Sequence, residues 1–594
     1  MAMLRELQGR GVELLNLAKS RFENLSKAEE NLYTFIGEGY AADYLDKTDE
    51  SKNNPAIADI WPIGRVLDAK CIQWLCTDKH AIEFVPSPGI WISGARITGE
   101  LDLMFWDVPF PLIFKSCSFT SDIILKHTKI RYLLLSGTHT RQIHASGVHI
   151  QRNMDLKDGF LAAGQVNLSN ATIGGDLNLV KASFINPEGF AINADGINVK
   201  GDAFLRNEFT SRGEVRFIGA SIGGSLDCGN AHFFNSGKIA LGADKAKIGG
   251  DVFLNDGFYA EGEVRFVGTT VGAGFDCSSG QFINDEGKSI NANKLSINGS
   301  FQLDENALSR GAIHLHSATV EGNITFMSSS LENISKFALY AEGLRVRGSV
   351  NLCDELQIEG TIGLIGATIG GHLRCSRIDP TYLILDLRST SIKTLIDDSH
   401  SWPNAGNLII DGFQYQEFGD GAPYDAESRL DWIRRQPGDR FYPQPYEQLS
   451  SVLQKCGQDD DAKKVLIAKS DDKARMTKLP LGSRIWHRIL GWTIGYGYRP
   501  MKALQWMLAA IIVGWILFSL GSANCSMLPL SNSSPAFNAL FYSIDTFLPL
   551  LDLQQANYWY PIAPFLSWYL LLHTLLGWIL TSLFVGGLTR LIRS

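Results

Sequence analysis

The sequence predicts a mainly β protein. We expect a parallel β-helix, for which we favour a right-handed coil, with a helical N-terminal cap, a helical hairpin and two C-terminal transmembrane helices. Three observations lead to this fold class. A motif close to x-[IV]-x-G recurs with a period of 49 residues, alternating apolar and polar residues surround its copies, and two long apolar runs lie near the C-terminus. Repetition at a fixed period is typical of a solenoid.

The repeat consists of two interleaved series of motif residues. The first series contains Ile173, Ile222, Val271, Val320 and Ile369. The second series contains Ile150, Val199, Ile248, Ile297 and Val346. The two series are offset by 23 and 26 residues, so each half-repeat supplies one coil in which like residues stack on the previous coil. We expect roughly 13 such coils between Ile92 and Tyr415.

Glycine occupies the second position after the motif residue in most half-repeats, as in Gly175 after Ile173 and Gly201 after Val199. A glycine permits a bend between two faces of a coil at a place where a Cβ atom would clash. This position is therefore predicted to be one of close approach between coils.

Three of the nine cysteines, Cys228, Cys277 and Cys375, occupy one repeat position, and the chain has no C-x-x-C pair. Sister repeats carry Leu179 and Phe326 there, which favours a buried apolar side chain over a metal site. Unpaired thiols are typical of a reducing compartment. The net charge of −8 lacks the basic excess of a nucleic-acid binder. We expect no nucleic-acid partner, no metal and no cofactor.

These patterns divide the chain into five segments. In the first, Ser26 followed by Glu29 forms a capping-box pattern, and Val66, Leu67 and Ile72 fit a further helix. The segments are a helical N-terminal cap (1–88), the β-helix (89–418), a helical hairpin (419–480), an amphipathic elbow (481–502) and a two-helix transmembrane domain (503–594).

The two apolar runs, 503–523 and 565–589, contain no charged residue and are long enough to cross a hydrocarbon core of about 30 Å. The segment between them, 524–564, contains no Lys or Arg. The basic residues that flank the pair are Arg484, Arg488, Arg499, Lys502, Arg590 and Arg593. By the positive-inside rule, both termini and the β-helix are predicted to face the cytoplasm.

A short apolar helix is predicted between the spans, over 536–553, and it is interrupted at Pro549. A span, a short re-entrant helix and a second span form the layout of two-helix pore-loop channels. The only charges of the segment, Asp545 and Asp552, would attract cations in a ring of subunits. The alternative is an amphipathic helix on the outer leaflet, anchored by the aromatic residues that follow it.

His573 lies inside the second apolar run. An ionisable residue in a transmembrane helix is a functional candidate, although a neutral histidine bonded to a neighbouring helix is an equal alternative. Gly577, Gly586 and Gly587 are predicted to allow close helix packing.

Enzyme motifs are not convincing in this sequence. The pattern G-x-S-x-G occurs at 219–223, but the equivalent repeats read N-A-T-I-G and G-A-T-I-G, so it belongs to the solenoid motif. The chain has no HExxH string, no Walker motif and no convincing pair of carboxylates. We therefore predict that the protein is not an enzyme.

Four strings carry a resemblance to a known family: GARITGELDL, RFYPQPYEQLSSVLQKCGQDDDAKKVLIAK, GYGYRPMKAL and YSIDTFLPLLDL. Together they resemble bacterial membrane proteins that are similar to pentapeptide-repeat proteins and are often labelled "membrane-associated oxidoreductase". The resemblance covers nearly the whole chain and implies this architecture in the bacterial inner membrane. The oxidoreductase label has no support from a flavin, nicotinamide or haem motif in these residues.

Three functional hypotheses follow. The first is an oligomeric channel or pore that is gated by a cytoplasmic β-helix, with the lipid bilayer and further copies of the chain as partners. The second is a membrane-anchored scaffold that binds a cytoplasmic protein. The third, which we favour least, is a membrane-associated oxidoreductase.

Overall fold

The computed structural model describes residues 2–477, 480–531 and 534–593. It forms two compact units, one through Pro423 and one from Tyr424 onwards. The first unit is a parallel β-solenoid of about 14 turns, and the second is largely helical. The predicted fold class, mainly β with a parallel solenoid and a helical C-terminal region that contains two apolar helices, is confirmed.

The solenoid contains four ladders of parallel strands. The first ladder contains Ala42–Asp43, Ile90–Ser93, Leu112–Lys115, Leu133–Ser136, Met154–Lys157, Leu177–Asn178, Ala203–Phe204, Leu226–Asp227, Val252–Phe253, Phe275–Asp276, Phe301–Leu303 and Ile324–Met327. The second contains Val66–Asp68, Arg96–Thr98, Ser118–Phe119, His139–Thr140 and Leu161–Ala162, and the third contains Leu101–Asp102, Ile123–Ile124, Ile143–His144 and Val166–Asn167.

The later coils have longer strands. The second and third ladders are joined in the strands Ser183–Asn193, Thr210–Arg216, His232–Gly242, Tyr259–Arg265, Gln281–Asn291, Leu308–His314 and Ser330–Tyr340. The last coils contain Val350–Gly363, Thr368–Ile378, Tyr382–Asp386, Ser391–Asp397, Leu408–Ile409 and Glu417–Phe418.

The fourth ladder contains the motif residues of both series. Its strands are Asp107–Val108, Lys129–Ile130, His149–Ile150, Thr172–Ile173, Asn198–Val199, Ser221–Ile222, Lys247–Ile248, Thr270–Val271, Ser296–Ile297, Thr319–Val320 and Arg345–Val346. Ile150 pairs with Ile173, and Ile173 pairs with Val199. These side chains are buried, so the predicted stacking of like residues across half-repeats is confirmed.

A polar ladder explains the motif glycines. The backbone N–H of Asp202 donates to Oδ1 of Asp176 (3.0 Å), and that of Ser225 donates to Oδ1 of Asp202 (2.7 Å). A Cβ at Gly201 would overlap the Asp176 carboxylate. Gly201 itself does not have a positive φ. The backbone does bend at Gly201, as predicted, but with a φ that other residues also adopt. The glycine is therefore needed because the Asp176 side chain approaches it and leaves no room for a Cβ atom.

A stack of phenylalanine rings fills part of the solenoid core. Neighbouring ring centroids lie 5.2–5.5 Å apart. The stack consists of Phe160, Phe184, Phe209, Phe233, Phe258 and Phe282. Cys228, Cys277 and Cys375 are also buried, as their shared repeat position predicts.

Turns that project from the wall account for the longer, 26-residue half-repeats. In the strand Ser183–Asn193, the pairing register shifts between Ile185 and Phe190. The Asn186 side chain donates to the Phe190 carbonyl oxygen (2.8 Å) and closes the turn. The same bond recurs at Asn235, Asn284 and Asn333, each 49 residues after the last.

The N-terminal helices are α1 (Ala2–Arg21), α2 (Lys27–Gly37), α3 (Ala69–Thr77) and α4 (Lys79–Phe84), with short 3-10 helices at Glu50–Asn53, Pro55–Ile60 and Ile63–Arg65. The predicted capping box of Ser26 and Glu29 is present at the start of α2. Val66 and Leu67 lie in a strand that pairs with Arg96–Thr98, so their assignment to a helix was wrong. Helix α3 begins after Asp68, whose side chain accepts from the Lys70 N–H.

The second unit contains α5 (Ala426–Ile433), α6 (Gln444–Lys455), α7 (Asp459–Met476), α8 (Leu481–Ile494), a 3-10 turn (Gly495–Gly497), α9 (Met501–Ala523), α10 (Ala539–Phe547) and α11 (Pro564–Arg593). Strands Met527–Pro529 and Trp559–Pro561 pair antiparallel between α9 and α11. In α6 and α7 the apolar stripes that contain Tyr446, Leu449 and Val465 are buried.

Candidate functional site

Two helices of the second unit, over Met501–Ala523 and Pro564–Thr589, are long and apolar enough to cross a membrane by length and composition. Both leave large apolar side chains exposed: Ile516 is 51 % exposed, Trp568 70 % and Leu572 62 %. Exposed apolar surface of this extent is costly in water and is suited to lipid or to another subunit. The candidate site is formed where α10 packs between these helices.

Helix α10 has nine residues and begins at Asn538, whose side chain accepts from the N–H groups of Leu540 and Phe541. Near its start, Tyr542 packs with Phe518 and Leu566. The helix is too short to span a bilayer, because nine residues extend about 14 Å.

At the other end of α10, Phe547 packs with Met507, Ile511 and Leu580. Phe518 lies towards the C-terminal end of α9, whereas Met507 and Ile511 lie towards its N-terminal end. Helix α10 therefore runs antiparallel to α9 and ends beside the interior of both apolar helices.

A non-helical return segment, 548–555, leads back to the start of α10. Leu548 packs beside Phe547 in the buried cluster. At the far end, the Gln555 side chain accepts from the Asn538 backbone N–H (3.1 Å). Between these ends the segment lies at the surface, where Leu550 is 82 % exposed. Helix α10 and the return segment together form a hairpin that packs between α9 and α11.

The predicted residues Asp545, Pro549 and Asp552 all belong to this hairpin. The Asp545 carboxylate accepts from the N–H groups of Leu553 (2.8 Å) and Ala556 (2.8 Å), so its negative charge holds the return segment against α10. Asp552 accepts from the N–H of Gln554 (2.9 Å). Pro549 and Asp552 are exposed, whereas Asp545 is half-buried.

His573 lies in α11 and is buried, with 2 % exposure. Its Nε2 lies 3.2 Å from the carbonyl oxygen of Ser543 and 3.2 Å from the Ser543 hydroxyl. The Ser543 hydroxyl lies 2.9 Å from the Ile511 carbonyl oxygen and donates to it. The histidine thus bonds to a neighbouring helix, and a polar connection joins α9, α10 and α11.

Two glycines bring the helices close together at this point. A Cβ at Gly514 would lie 2.7 Å from Cε1 of His573, and a Cβ at Gly577 would overlap the backbone of Phe547. Sequence reasoning named Gly577 but missed Gly514 and Ser543. The sequence carried a signal for both, because Gly514 is a small residue and Ser543 is a polar residue within otherwise apolar segments.

Within the described residues, no group of three or more His, Cys, Asp and Glu side chains could hold a metal ion. In comparisons with known proteins, no family model, curated protein or solved structure matches the chain. The fold defines a β-solenoid repeat protein with a two-helix apolar unit.

Proposed function

We propose that this chain forms an oligomeric membrane channel or pore. The observation that supports this function is the hairpin, in which α10 runs beside the interior of α9 and α11 and the segment 548–555 returns to Asn538. In this proposal the hairpin re-enters the bilayer between the two spans. A short helix followed by a non-helical return between two spans is the arrangement of a pore loop.

The exposed return segment supports an oligomer. In a bilayer, non-helical backbone at membrane depth is stable only where protein covers it or where it lines a water-filled cavity. Leu550 and Asp552 are exposed in one chain, so in a single chain lipid would face this non-helical segment. Further copies of the chain, arranged around an axis lined by the return segments, would supply both the cover and the aqueous path.

The charges of the hairpin favour cations. Asp552 is exposed and would line the axis, whereas Asp545 would stabilise the loop from within the wall of the pore. A ring of carboxylates attracts cations and excludes anions. In this proposal the channel is not an enzyme and carries no redox cofactor.

We place the β-solenoid and both termini on the cytoplasmic side of the bacterial inner membrane, where the solenoid gates the pore. The segment between the apolar helices, 524–564, contains no Lys or Arg, whereas the flank before the first apolar helix contains Arg488 and Lys502. This difference supports the orientation by the positive-inside rule. The side chains of the other flank, Arg590 and Arg593, lie outside the described residues. The resemblance to pentapeptide-repeat-like membrane proteins agrees with this placement.

The experiment is electrical recording from purified full-length protein in planar bilayers, with the oligomer mass measured on the same sample. We expect a symmetric oligomer and a cation-selective current. Asp552→Asn keeps the side-chain acceptor for the Gln554 N–H but removes the charge, so it lowers the cation preference. Asp285→Asn, which removes the charge of an exposed solenoid side chain, is the matched control and leaves the cation preference unchanged. A monomer without current contradicts the channel.

A second function, a membrane-anchored scaffold, is favoured by the row of projecting turns on the solenoid. The turns that begin at Asn186, Asn235, Asn284 and Asn333 recur every two coils, which places them roughly 10 Å apart along one side. Such a row suits an extended protein partner. If the protein is a scaffold, substitutions that change the charge of these turns abolish crosslinking of the chain to one cytoplasmic protein. The purified chain then carries no current.

A further inference from the structure

Helix α8 precedes the first apolar helix and has two different faces. Ile485 is 60 % exposed, Trp486 50 % and Ile489 39 %, which leaves an apolar strip uncovered in the described structure. Arg484 and Arg488 lie one helical turn apart on another strip. A helix with exposed Trp and Ile on one side and Arg on the other is suited to the interface of a membrane.

A polar cavity of about 590 Å³ lies beside the basic strip. Its lining includes Arg475, Arg484, Arg488, His487 and Asp471. Three arginines thus line the cavity together with one carboxylate, and one of the arginines, Arg475, also pairs with Asp472 (3.5 Å). The Asp471 carboxylate accepts a hydrogen bond from the Tyr496 hydroxyl, and the His487 ring packs at a tilt against the same tyrosine ring, with 4.6 Å between the ring centroids. The chemistry of the cavity therefore favours an anionic group such as a phosphate.

An apolar cleft of about 450 Å³ begins one turn further along α8. Trp492 follows Arg488 by four residues and lies 4.1 Å from Trp506 of α9, measured between ring centroids. The cleft continues along α9 and α11, where Val513, Leu572 and Leu576 line it. Its lining is almost entirely apolar, so it is suited to a hydrocarbon chain.

We propose that the polar cavity and the apolar cleft together bind one anionic phospholipid of the cytoplasmic leaflet. Its phosphate lies against Arg484 and Arg488, and one acyl chain lies in the cleft beside Trp492. Charge supports this occupant, because the arginines complement a phosphate, and so does the order of the two sites along α8. Trp492 of the cleft follows Arg488 of the cavity by about one helical turn, roughly 5.4 Å along the axis, so the basic and apolar sites are neighbours on α8. The inference rests on the proposed membrane insertion, but not on ion conduction.

The test uses full-length protein in detergent, to which long-chain phosphatidylglycerol or phosphatidylcholine is added. Bound lipid is counted by native mass spectrometry, and the apparent Tm is recorded in the same mixtures. We expect phosphatidylglycerol to bind more tightly and to raise Tm more. Arg484→Gln and Arg488→Gln each lower the preference for phosphatidylglycerol about fivefold, because basic residues near a membrane attract anionic lipids with about this strength.

Two further variants separate the parts of the site. Arg131→Gln removes the same single charge from an exposed solenoid position and leaves lipid binding unchanged. Ala509→Trp fills the apolar cleft and lowers binding of long-chain lipid of either headgroup. Equal binding of the two lipids by the unchanged protein, or an unchanged preference in the arginine variants, overturns the proposal.

The readout also separates this inference from the channel. Lipid binding in detergent requires no current, so a protein that conducts without preferring phosphatidylglycerol refutes the lipid site alone. A protein that binds phosphatidylglycerol through Arg484 and Arg488 but remains a non-conducting monomer refutes the channel alone.

Discussion

Gly577 of α11 faces the backbone carbonyl group of Phe547, the last residue of α10, at a distance that leaves no room for a Cβ atom. This contact is what allows the short helix to lie beside the interior of the two long ones. It joins a residue of the second apolar helix to the point where the return segment begins.

Gly577→Ala is therefore expected to displace α10. The new methyl group would overlap backbone atoms, which cannot rotate away as a side chain does, and overpacking of this kind costs about 1–3 kcal/mol. The measurements are thermal unfolding in detergent and bilayer current. Gly586→Ala is the control on the same helix, because its Cβ would meet no atom within 4 Å. Equal stability of the two variants would show that α10 does not occupy this position.

The orientation of the two apolar helices can be tested with native cysteines. Cys456 and Cys525 are exposed, whereas the other seven are buried. Burial raises the pKa of Cys228 and Cys277 well above the usual range, which also makes these thiols unreactive. A membrane-impermeant maleimide added to spheroplasts should label Cys525 and not Cys456. When it is added to inverted vesicles, it should label Cys456 and not Cys525. Labelling of Cys456 from outside contradicts the cytoplasmic solenoid.

The polar ladder predicts coupling between Gly201 and Asp176. Gly201→Ala should destabilise the solenoid by about 1–3 kcal/mol, because its Cβ would overlap the Asp176 carboxylate. Asp176→Ala removes that carboxylate and should cancel part of the effect of Gly201→Ala in a double-mutant cycle. Denaturant unfolding followed by circular dichroism measures both. Gly64→Ala, where a Cβ would meet no atom within 4 Å, is the control. Additive effects would contradict a direct clash.

His314 makes the solenoid less stable in mild acid. Burial, with the nearby charges of Lys288 and His316, lowers its pKa from 6.5 to about 4. The unfolded chain therefore binds a proton at His314 more readily than the folded chain does. The stability that the neutral imidazole contributes is fully present above the ordinary pKa of 6.5 and is lost as pH falls towards the folded pKa of about 4. His314→Gln should lose less Tm than the unchanged protein between about pH 7 and about pH 5. His400→Gln, at a fully solvated side chain, should not differ from the unchanged protein.

Much of the solenoid is predictable because its information is local and repeated. Ile150, Ile173 and Val199 stack because equal spacing places them at equal positions on successive coils. The phenylalanine stack was open to the same reasoning, since Phe160, Phe209 and Phe258 are also 49 residues apart, but it was not recognised. The reason for Gly201 was only partly predicted, because the partner that crowds it belongs to the previous coil.

For the two apolar helices and the hairpin between them, the sequence and the tertiary structure determined different features. Composition alone predicted that 503–523 and 565–589 are long apolar helices, and the structure contains both. It also predicted a short helix over 536–553 that is interrupted at Pro549, but the helix that forms covers only Ala539–Phe547. Only the tertiary structure decided that Asp545 holds the return segment and that His573 bonds to Ser543, 30 residues away. Helical periodicity fixes which face of a helix is apolar, but the partner of a buried polar side chain depends on which helix packs against it and at what depth.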